Sequence, residues 1–438
     1  MADETRVPVY YEQFQIGSIL VNATGQLGFQ YDARWLDTKG SFPLSVTMPL
    51  SGAWYDDHII TPWLANLLPE EQQLLTLSRT LGVSSTDTLA ILMEIGGDTA
   101  GAISIEKPSI QEKWAYRSLI EYYDQPTEVD AINRHFEDLR NRPFLAGEDG
   151  VRLSLAGGQQ KTALAVIGLD GHPKLGLPGK SDTLAIPMNG APSTIIIKPD
   201  NPTLAGIVEN ETYCLTLASL IGIPVAKAGI INTTGRTALG VARYDRVMRK
   251  NGAVRRLHQE DFAQANGLYP SQKYEQGTVR GLDLTGLIQT GRHLPAGEAL
   301  NLLDQVIFNI LVANTDAHAK NYSMILSSGP TLAPLYDVSS VLLWDHVNQY
   351  HAQKLAGRKR KPEDMARRHW DRVAEGAGLS PRGVRLRVQE LVDAMVSARV
   401  EATAIVTGQR GAVGKIVEHV AALIEKNALR IAGRLDGD

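Results

Sequence analysis

The apolar residues of this 438-residue chain change period near its middle. From Val151 to Tyr244 they form short β-branched or apolar runs, VRLSLA, TALAVI, STIIIK and GVARY, bounded by Gly, Pro and Asn. Such runs read as strands, because branched side chains pack well on a pleated surface. One helix is expected among them, from near Asn210 to Gly222, with Tyr213, Leu217, Leu220 and Ile221 as its buried stripe. After Asp261 the period becomes helical almost to the end. There LLDQVIFNILVA sets Leu302, Leu303, Val306, Ile307, Ile310 and Leu311 on one helix face. A chain patterned in this way must build a sheet-based lobe beside a helical one.

Ahead of these lobes, Val7 to Tyr31 reads as a small antiparallel sheet, broken at Ala23-Thr24-Gly25, with Leu27, Phe29 and Tyr31 alternating against Gly28 and Gln30. Thr61 to Ile95 reads as helices packed on that sheet and ending at Gly96-Gly97. The charged stretch from Glu106 to Arg142 reads as a connector with one or two helices. Three units are therefore expected: an N-terminal β-rich subdomain at 1–105, a strand-rich lobe at 106–248 and a helical lobe at 249–438. Forty-four Lys and Arg against 48 Asp and Glu leave a net charge of -4, so the whole surface cannot act as a polycation. Any DNA contact must be local or made through a partner. The lone Cys214 excludes an internal disulfide framework and a multi-thiolate metal site. The start MADETRVPVYYEQ lacks the order of a signal peptide, and no run approaches the ~18 uninterrupted apolar residues of a membrane span. A cytoplasmic protein without membrane contact is expected.

Four motifs carry chemistry. LAGGQQK, Leu155 to Lys161, sits between two strand-like runs, and its paired glycines let backbone N–H groups approach a phosphate. It is not a Walker loop, which needs Gly directly before Lys and a helix after it. Lys198 closes the apolar run STIIIK, and Glu211 in the next helix has Cys214, Leu215 and Ala218 at its i+3, i+4 and i+7 positions. A carboxylate on so apolar a face needs a cationic partner. A strand Lys paired with a helix Glu is the device by which protein kinases hold α- and β-phosphates. In TDAHAKN, Asp316 and Asn321 stand five apart, the separation of catalytic Asp and metal-binding Asn in the kinase catalytic loop. His318, between them, either touches phosphates or braces the loop. Lastly, YSMIL, the turn SSGP and TLAPLY form a hairpin that ends at Asp337 and returns it beside Asn321. Two hard oxygen ligands of this kind suit Mg²⁺. In chain order, these parts are those required for phosphoryl transfer by a kinase.

The strings RLSLAGGQQKTAL, IIIKPD, ENETYCL, VARYDR, HQEDFAQ, NTDAHAKN and APLYDVSS, with FQYDARWL, PLSVTMPL, NLLPEE, EIGGDTAGA and ALRIAGRL outside the kinase core, resemble the HipA family nearly end to end. These are serine/threonine kinase toxins of bacterial toxin–antitoxin modules. The resemblance implies an α+β, two-lobed protein-kinase-like fold of the phosphoinositide-kinase type, with an extra N-terminal subdomain and a mostly helical C-terminal lobe. It implies ATP and Mg²⁺ as cofactors, Asp316 as general base, and Asn321 and Asp337 as metal ligands. Lys198 and the loop of Ala156, Gly157, Gly158, Gln159, Gln160 and Lys161 would hold the ATP phosphates. Ala242, Arg243 and Tyr244 would form the adenine hinge, and His318, Lys320 and Tyr336 would line the site. Ser154 stands at the family's autophosphorylated position; a strand serine there would otherwise be a surface residue facing away from Leu153 and Leu155. The sequence departs from the family's commoner AGAQE, reading AGGQQ, and has Ala242 where Glu is frequent. The implied partners are a small HipB-like helix-turn-helix antitoxin, operator DNA mainly through that antitoxin, and a protein substrate of translation such as an aminoacyl-tRNA synthetase. The basic run of Arg358, Lys359, Arg360 and Lys361, followed by Arg367 and Arg368, is either a solvated loop or a contact to DNA phosphates. Two rivals to this reading are a small-molecule or lipid kinase and a catalytically silent scaffold for a DNA-binding antitoxin.

Overall fold

A computed structural model describes residues 5–275 and 280–436. Residues 1–4, on which part of the leader reading rests, lie outside that range.

The N-terminal unit is a four-stranded antiparallel sheet of Thr5–Tyr11, Phe14–Val21, Leu27–Tyr31 and Ile103–Ile105, with the last strand pairing beside the first. Helices Asp57–Ala65, Glu71–Leu81 and Thr88–Ile95 cover it. Ile16, Ile19, Phe29, Trp63, Leu64 and Leu92 share one buried cluster there. Each such large apolar side chain contributes roughly 1.5–3 kcal/mol by leaving water, so this unit has a core of its own.

The second sheet has seven strands. Its path runs Ala228–Thr233, Arg236–Ala242, Ile195–Pro199, Thr162–Ile167, Thr183–Met188 and Ala115–Ser118, and Pro173–Lys174 pairs with Thr162–Ile167. Three of the four expected strands are therefore present. VRLSLA is the exception: only Leu153 forms a bridge there, to Asp98 of the N-terminal unit. Its backbone is drawn off the sheet by that unit, since Asp98 N donates to the Arg152 carbonyl at 2.8 Å and Ser154 N to the Asp98 carbonyl at 3.2 Å. The Gly-rich segment is thus an extended cover with a strand on one side only.

The expected helix spans Ile207–Leu220, starting three residues earlier than Asn210. Gly206 at its N-cap has φ +80°, and a Cβ there would lie 2.7 Å from Ile416, so no larger residue fits. The helix is buried on nearly every side, not along one stripe, because it lies between the sheet and the helices Pro381–Thr407 and Gly414–Ala432. Tyr213, Cys214 and Leu217 join the core of the helical lobe, with Leu302, Val306, Ile310, Val388 and Ile424. Helix Ala296–Leu311 leads directly into the 315–321 loop, and a small sheet of Gln259–Asp261, Ser323–Ile325 and Thr331–Leu332 lies beneath it.

A buried ionic cluster fastens the N-terminal unit to the rest. Asp98 accepts from Arg246 Nη2 at 2.8 Å, Arg256 Nε at 2.8 Å and Ser193 Oγ at 2.6 Å. Arg243 bridges from Asp98 to Asp245, which also accepts from the Gly101 N–H. Burial alone would raise the Asp98 pKa, but the three guanidinium groups outweigh it and hold the carboxyl well below its usual range. The stabilisation is therefore present above the ordinary aspartate pKa and is lost as pH falls toward the folded-state value. Asp98→Ala should cost about 3–5 kcal/mol, because it strands buried arginine charge. Urea denaturation at neutral pH measures this, and the deficit of the variant should shrink in acid.

Candidate active site

Strand Ile195–Pro199 carries Lys198, one residue before its end, pointing inward between the sheet and the helical lobe. Its Nζ donates to Glu211 Oε1 and to Asp337 Oδ1, each at 2.7 Å. The apolar run on the strand and the buried helix shield the ammonium from most water, and it pairs with both carboxylates. Burial would lower the Lys198 pKa, yet Asp337 and Glu211 together raise it. Burial raises the Glu211 pKa, with Lys198 opposing, whereas Lys198 and Lys161 overcome burial at Asp337 and lower its pKa.

Around this triad opens a cleft of about 360 Å³. Ala156, Gly157, Gly158, Gln159 and Lys161 form its cover, Ala242, Arg243 and Tyr244 its back edge, and Asp316, His318, Lys320, Asn321, Tyr336 and Asp337 its floor. The expected site residues thus come together, with three corrections. Gln160 is absent from the wall, because its amide turns away to donate to the Phe136 carbonyl at 3.2 Å. Arg243 offers backbone to the cleft while its guanidinium points into the ionic cluster, so it is a structural side chain. Ser154 is fully buried, not a surface position, and its hydroxyl donates to the Leu67 carbonyl at 2.7 Å.

The loop that carries Asp316 is held by its own backbone. Asn321 Nδ2 and the His318 N–H both donate to the Asp316 carbonyl, at 2.8 and 2.7 Å. With its nitrogen engaged, the Asn321 amide has its oxygen left for a cation. Asp337, at φ +57°, sits in the left-handed region that Asp tolerates better than most residues. Asn321 and Asp337 fit Mg²⁺, which takes one or two protein oxygens and completes its shell with phosphate and water. No cluster of three or more His, Cys, Asp or Glu that could hold a metal occurs among the described residues. His318 is buried and neutral, since burial lowers its pKa. Its Nδ1 has no hydrogen-bond partner among the described residues, although the ring lines the cleft. An orphaned polar atom at such a place is suited to a ligand.

The N-terminal unit supplies groups that motif spacing did not reveal. Glu70 pairs with Lys273 and, at 2.8 Å, with Lys320. Burial would raise its pKa, but these lysines bring it down to about 2. The Glu70 N–H donates to the Gly157 carbonyl at 3.3 Å and Gln73 Nε2 to the Gly158 carbonyl at 2.8 Å. The segment 70–73, at the end of NLLPEE and just beyond it, therefore holds the Gly-rich cover from outside. Lys161 donates to the Ala156 carbonyl at 2.5 Å, and its Nζ lies 2.8 Å from where a Gly157 Cβ would be. With φ +102° as well, Gly157 admits no side chain. Tyr274, also unforeseen, donates its hydroxyl to Asp316 Oδ1. Of the basic run, Arg358 and Arg360 join Arg368 and Arg372 around a separate cavity of about 430 Å³, whereas Lys359 lies over the Tyr350 ring.

No helix among the described residues is long and apolar enough to cross a membrane. The HipA-like C-terminal domain model matches residues 153–399, and the HipA N-terminal domain model matches residues 7–106. The putative kinase Y4mE of Sinorhizobium fredii is 36% identical over 392 residues, covering 89% of this chain and 90% of that protein. The serine/threonine-protein kinase toxin HipA of Shewanella oneidensis is 31% identical over 355 residues, covering 78% and 76%. The fold superposes on the HipA chain of the Shewanella oneidensis HipA, HipB and operator DNA complex with a TM-score of 0.82, at 26% identity and 98% coverage of both chains. The two matched domains, the end-to-end structural likeness and the kinase-type cleft together make this chain a member of the HipA family of serine/threonine kinase toxins.

Proposed function

We propose that the protein transfers the γ-phosphoryl group of ATP, with Mg²⁺, to a serine or threonine of a protein of translation, such as an aminoacyl-tRNA synthetase, and so arrests growth. The observation that carries this reading is the convergence of Lys198, Glu211 and Asp337 with Asp316 and Asn321 in one cleft. Lys198, paired to Glu211, would hold phosphate oxygens. Asn321 and Asp337 would hold Mg²⁺, which neutralises charge on the phosphates when bound. Asp316 would accept the proton of the attacking hydroxyl, while Ala242 to Tyr244 receive the base through backbone groups. The likeness to a serine/threonine-protein kinase toxin favours this over a lipid or small-molecule kinase, and the complete set of cleft residues favours it over a silent scaffold. The three units at 1–105, 106–248 and 249–438 are proposed as N-terminal subdomain, N-lobe and C-lobe of a cytoplasmic enzyme.

The Shewanella complex contains HipB and operator DNA, which supports a small HipB-like antitoxin as partner here and operator binding mainly through it. Arg358, Arg360, Arg368 and Arg372 converge without a carboxylate in the lining of their cavity. That arrangement supports a contact to DNA phosphates, with Lys359 and Lys361 beside it.

Asp316→Asn should preserve the fold, being nearly isosteric, and lower single-turnover transfer by ~10²- to 10⁴-fold, the usual contribution of a general base. Lys161 gives a pH signature. Burial brings its pKa down to about 8, so in the free enzyme it loses its proton as pH rises through that value, whereas bound phosphate would retain the proton. Nucleotide affinity should therefore fall above about pH 8, approaching tenfold per pH unit. Calorimetric titration checks this, and Lys161→Gln should flatten the profile.

Autophosphorylation at Ser154 would inactivate the enzyme. The hydroxyl is sealed against Leu67, so it must leave that contact to react. The new charge of about -1.5 to -2 cannot return to a buried site beside a carbonyl. After incubation with Mg-ATP, mass spectrometry should find phosphate on Ser154 in the parent and none in Asp316→Asn, and the modified form should bind ATP more weakly.

A further inference from the structure

A second cavity, of about 510 Å³, opens on the far side of Asp316. Asp316 and Tyr274 belong to the walls of both cavities and form the partition between them. The second cavity is part apolar, with Trp344 and Val347, and is edged by Tyr350 and Lys354. Its volume of about 510 Å³ accommodates several residues of a peptide segment, and the exposed Asp316 stands in its wall.

The Tyr274 hydroxyl is bonded to that carboxylate. The phenol is no loose surface group, because the chain is pinned on each side of it. Lys273 pairs with Glu70, and its carbonyl accepts from the Ala319 N–H of the catalytic loop at 3.3 Å. The Glu275 N–H donates to the Ala352 carbonyl at 3.2 Å, and its carboxylate accepts from the Lys354 N–H at 2.8 Å. The tyrosine ring meets His318 edge-on, with centroids 5.0 Å apart. Five residues from three parts of the chain thus hold one hydroxyl against one carboxylate.

In phosphoryl transfer the acceptor hydroxyl must donate a hydrogen bond to the base before its proton moves. Tyr274 already makes that bond. We propose that Tyr274 is a positioning residue whose hydroxyl guards the acceptor position, and that a serine or threonine on an extended protein segment enters through the second cavity and displaces it from Asp316. This rests on the reading of Asp316 as general base. During transfer the bond from acceptor oxygen to γ-phosphorus forms, the bond from that phosphorus to the β,γ-bridging oxygen breaks, ADP leaves and the acceptor proton passes to Asp316. If water takes the acceptor place, the same sequence yields inorganic phosphate. The guard therefore keeps ATP from being hydrolysed when no acceptor is present. Burial, reinforced by the Asp316 charge, raises the phenol pKa and keeps the hydroxyl a donor.

The test uses the full-length protein in a Ser154→Ala background, with Mg-ATP. Phosphate release without acceptor is measured per bound nucleotide, and transfer is measured to a mixture of synthetic serine-containing peptides. Tyr274→Phe keeps the ring and its packing but removes the guard, so hydrolysis should rise about tenfold, the factor one ordinary hydrogen bond contributes. A tyrosine that served only the fold would give no gain. Val347→Arg, which crowds the second cavity, should lower transfer to peptides at least tenfold more than it lowers hydrolysis. Tyr274→Phe hydrolysing ATP no faster than the parent overturns the proposal, as does phosphate found on Tyr274 of the parent. A parent no faster than Asp316→Asn overturns both the proposal and the reading beneath it.

Discussion

The contact on which the cleft depends is the double hydrogen bond of Lys198. One ammonium ties a strand of the seven-stranded sheet to Glu211 on the interlobe helix and to Asp337 on the turn after the hairpin. Lys198 and Glu211 are not tolerable alone at such burial, whereas Asp337 is partly exposed to the cleft. Removing one partner from a buried ion set leaves uncompensated charge, which typically costs about 3–5 kcal/mol. Burial, with the Asp337 charge adding to it, raises the Glu211 pKa against the pull of Lys198, while Lys198 and Lys161 keep Asp337 ionised. The set therefore has an internal demand for further positive charge near Asp337, and a cation at Asn321 and Asp337 would meet it.

The N-terminal unit is more than an appendage to this cleft. Asp98 buries three arginines from the other side of the interface, and the segment at 66–73 reaches around to hold the Gly-rich cover, Ser154 and Lys320. The cover has two glycines and a strand on one side only, so its own backbone does little to fix it. Its position is imposed from Glu70, Gln73 and Leu67. A change that loosens the N-terminal unit thus acts on the Gly-rich side of the cleft at a distance.

Legibility in the sequence followed the range of the interactions. The strands TALAVI, STIIIK and GVARY, the long helix before the 315–321 loop and the pairing of Lys198 with Glu211 rest on local period or on burial that demands one partner. Those are visible residue by residue. VRLSLA has the composition of a strand, but Asp98, more than 50 positions upstream, claims its backbone. Arg243, expected in the hinge, lines the cleft with backbone, while its side chain is a counter-ion of Asp98 and Asp245, a role with no local signal. Glu70, Lys273 and Tyr274 had no local signal at all, since their partners lie tens to hundreds of positions away. NLLPEE stood out only as a string resembling the family, without a role for any one of its residues.

Charge allocation distinguishes the four lysines that line the cleft. Lys198 is committed to Glu211 and Asp337, and Lys273 and Lys320 to Glu70. Lys161 differs: its hydrogen bond goes to the Ala156 carbonyl, and no carboxylate lies within ion-pair distance of it among the described residues. A protonated amine held against a neutral oxygen at partial burial is the least satisfied cation of the group, and its lowered pKa expresses that. On the proposed reading, phosphate oxygens arriving under the cover would offer full negative charge in place of one carbonyl and offset the burial penalty. The three paired lysines can then share phosphate without breaking their existing bonds, because an ammonium has three donors and each uses two or fewer on carboxylates. Lys161, the cation of the cleft without a carboxylate partner among the described residues, thus lies against the Gly-rich loop that the N-terminal unit positions.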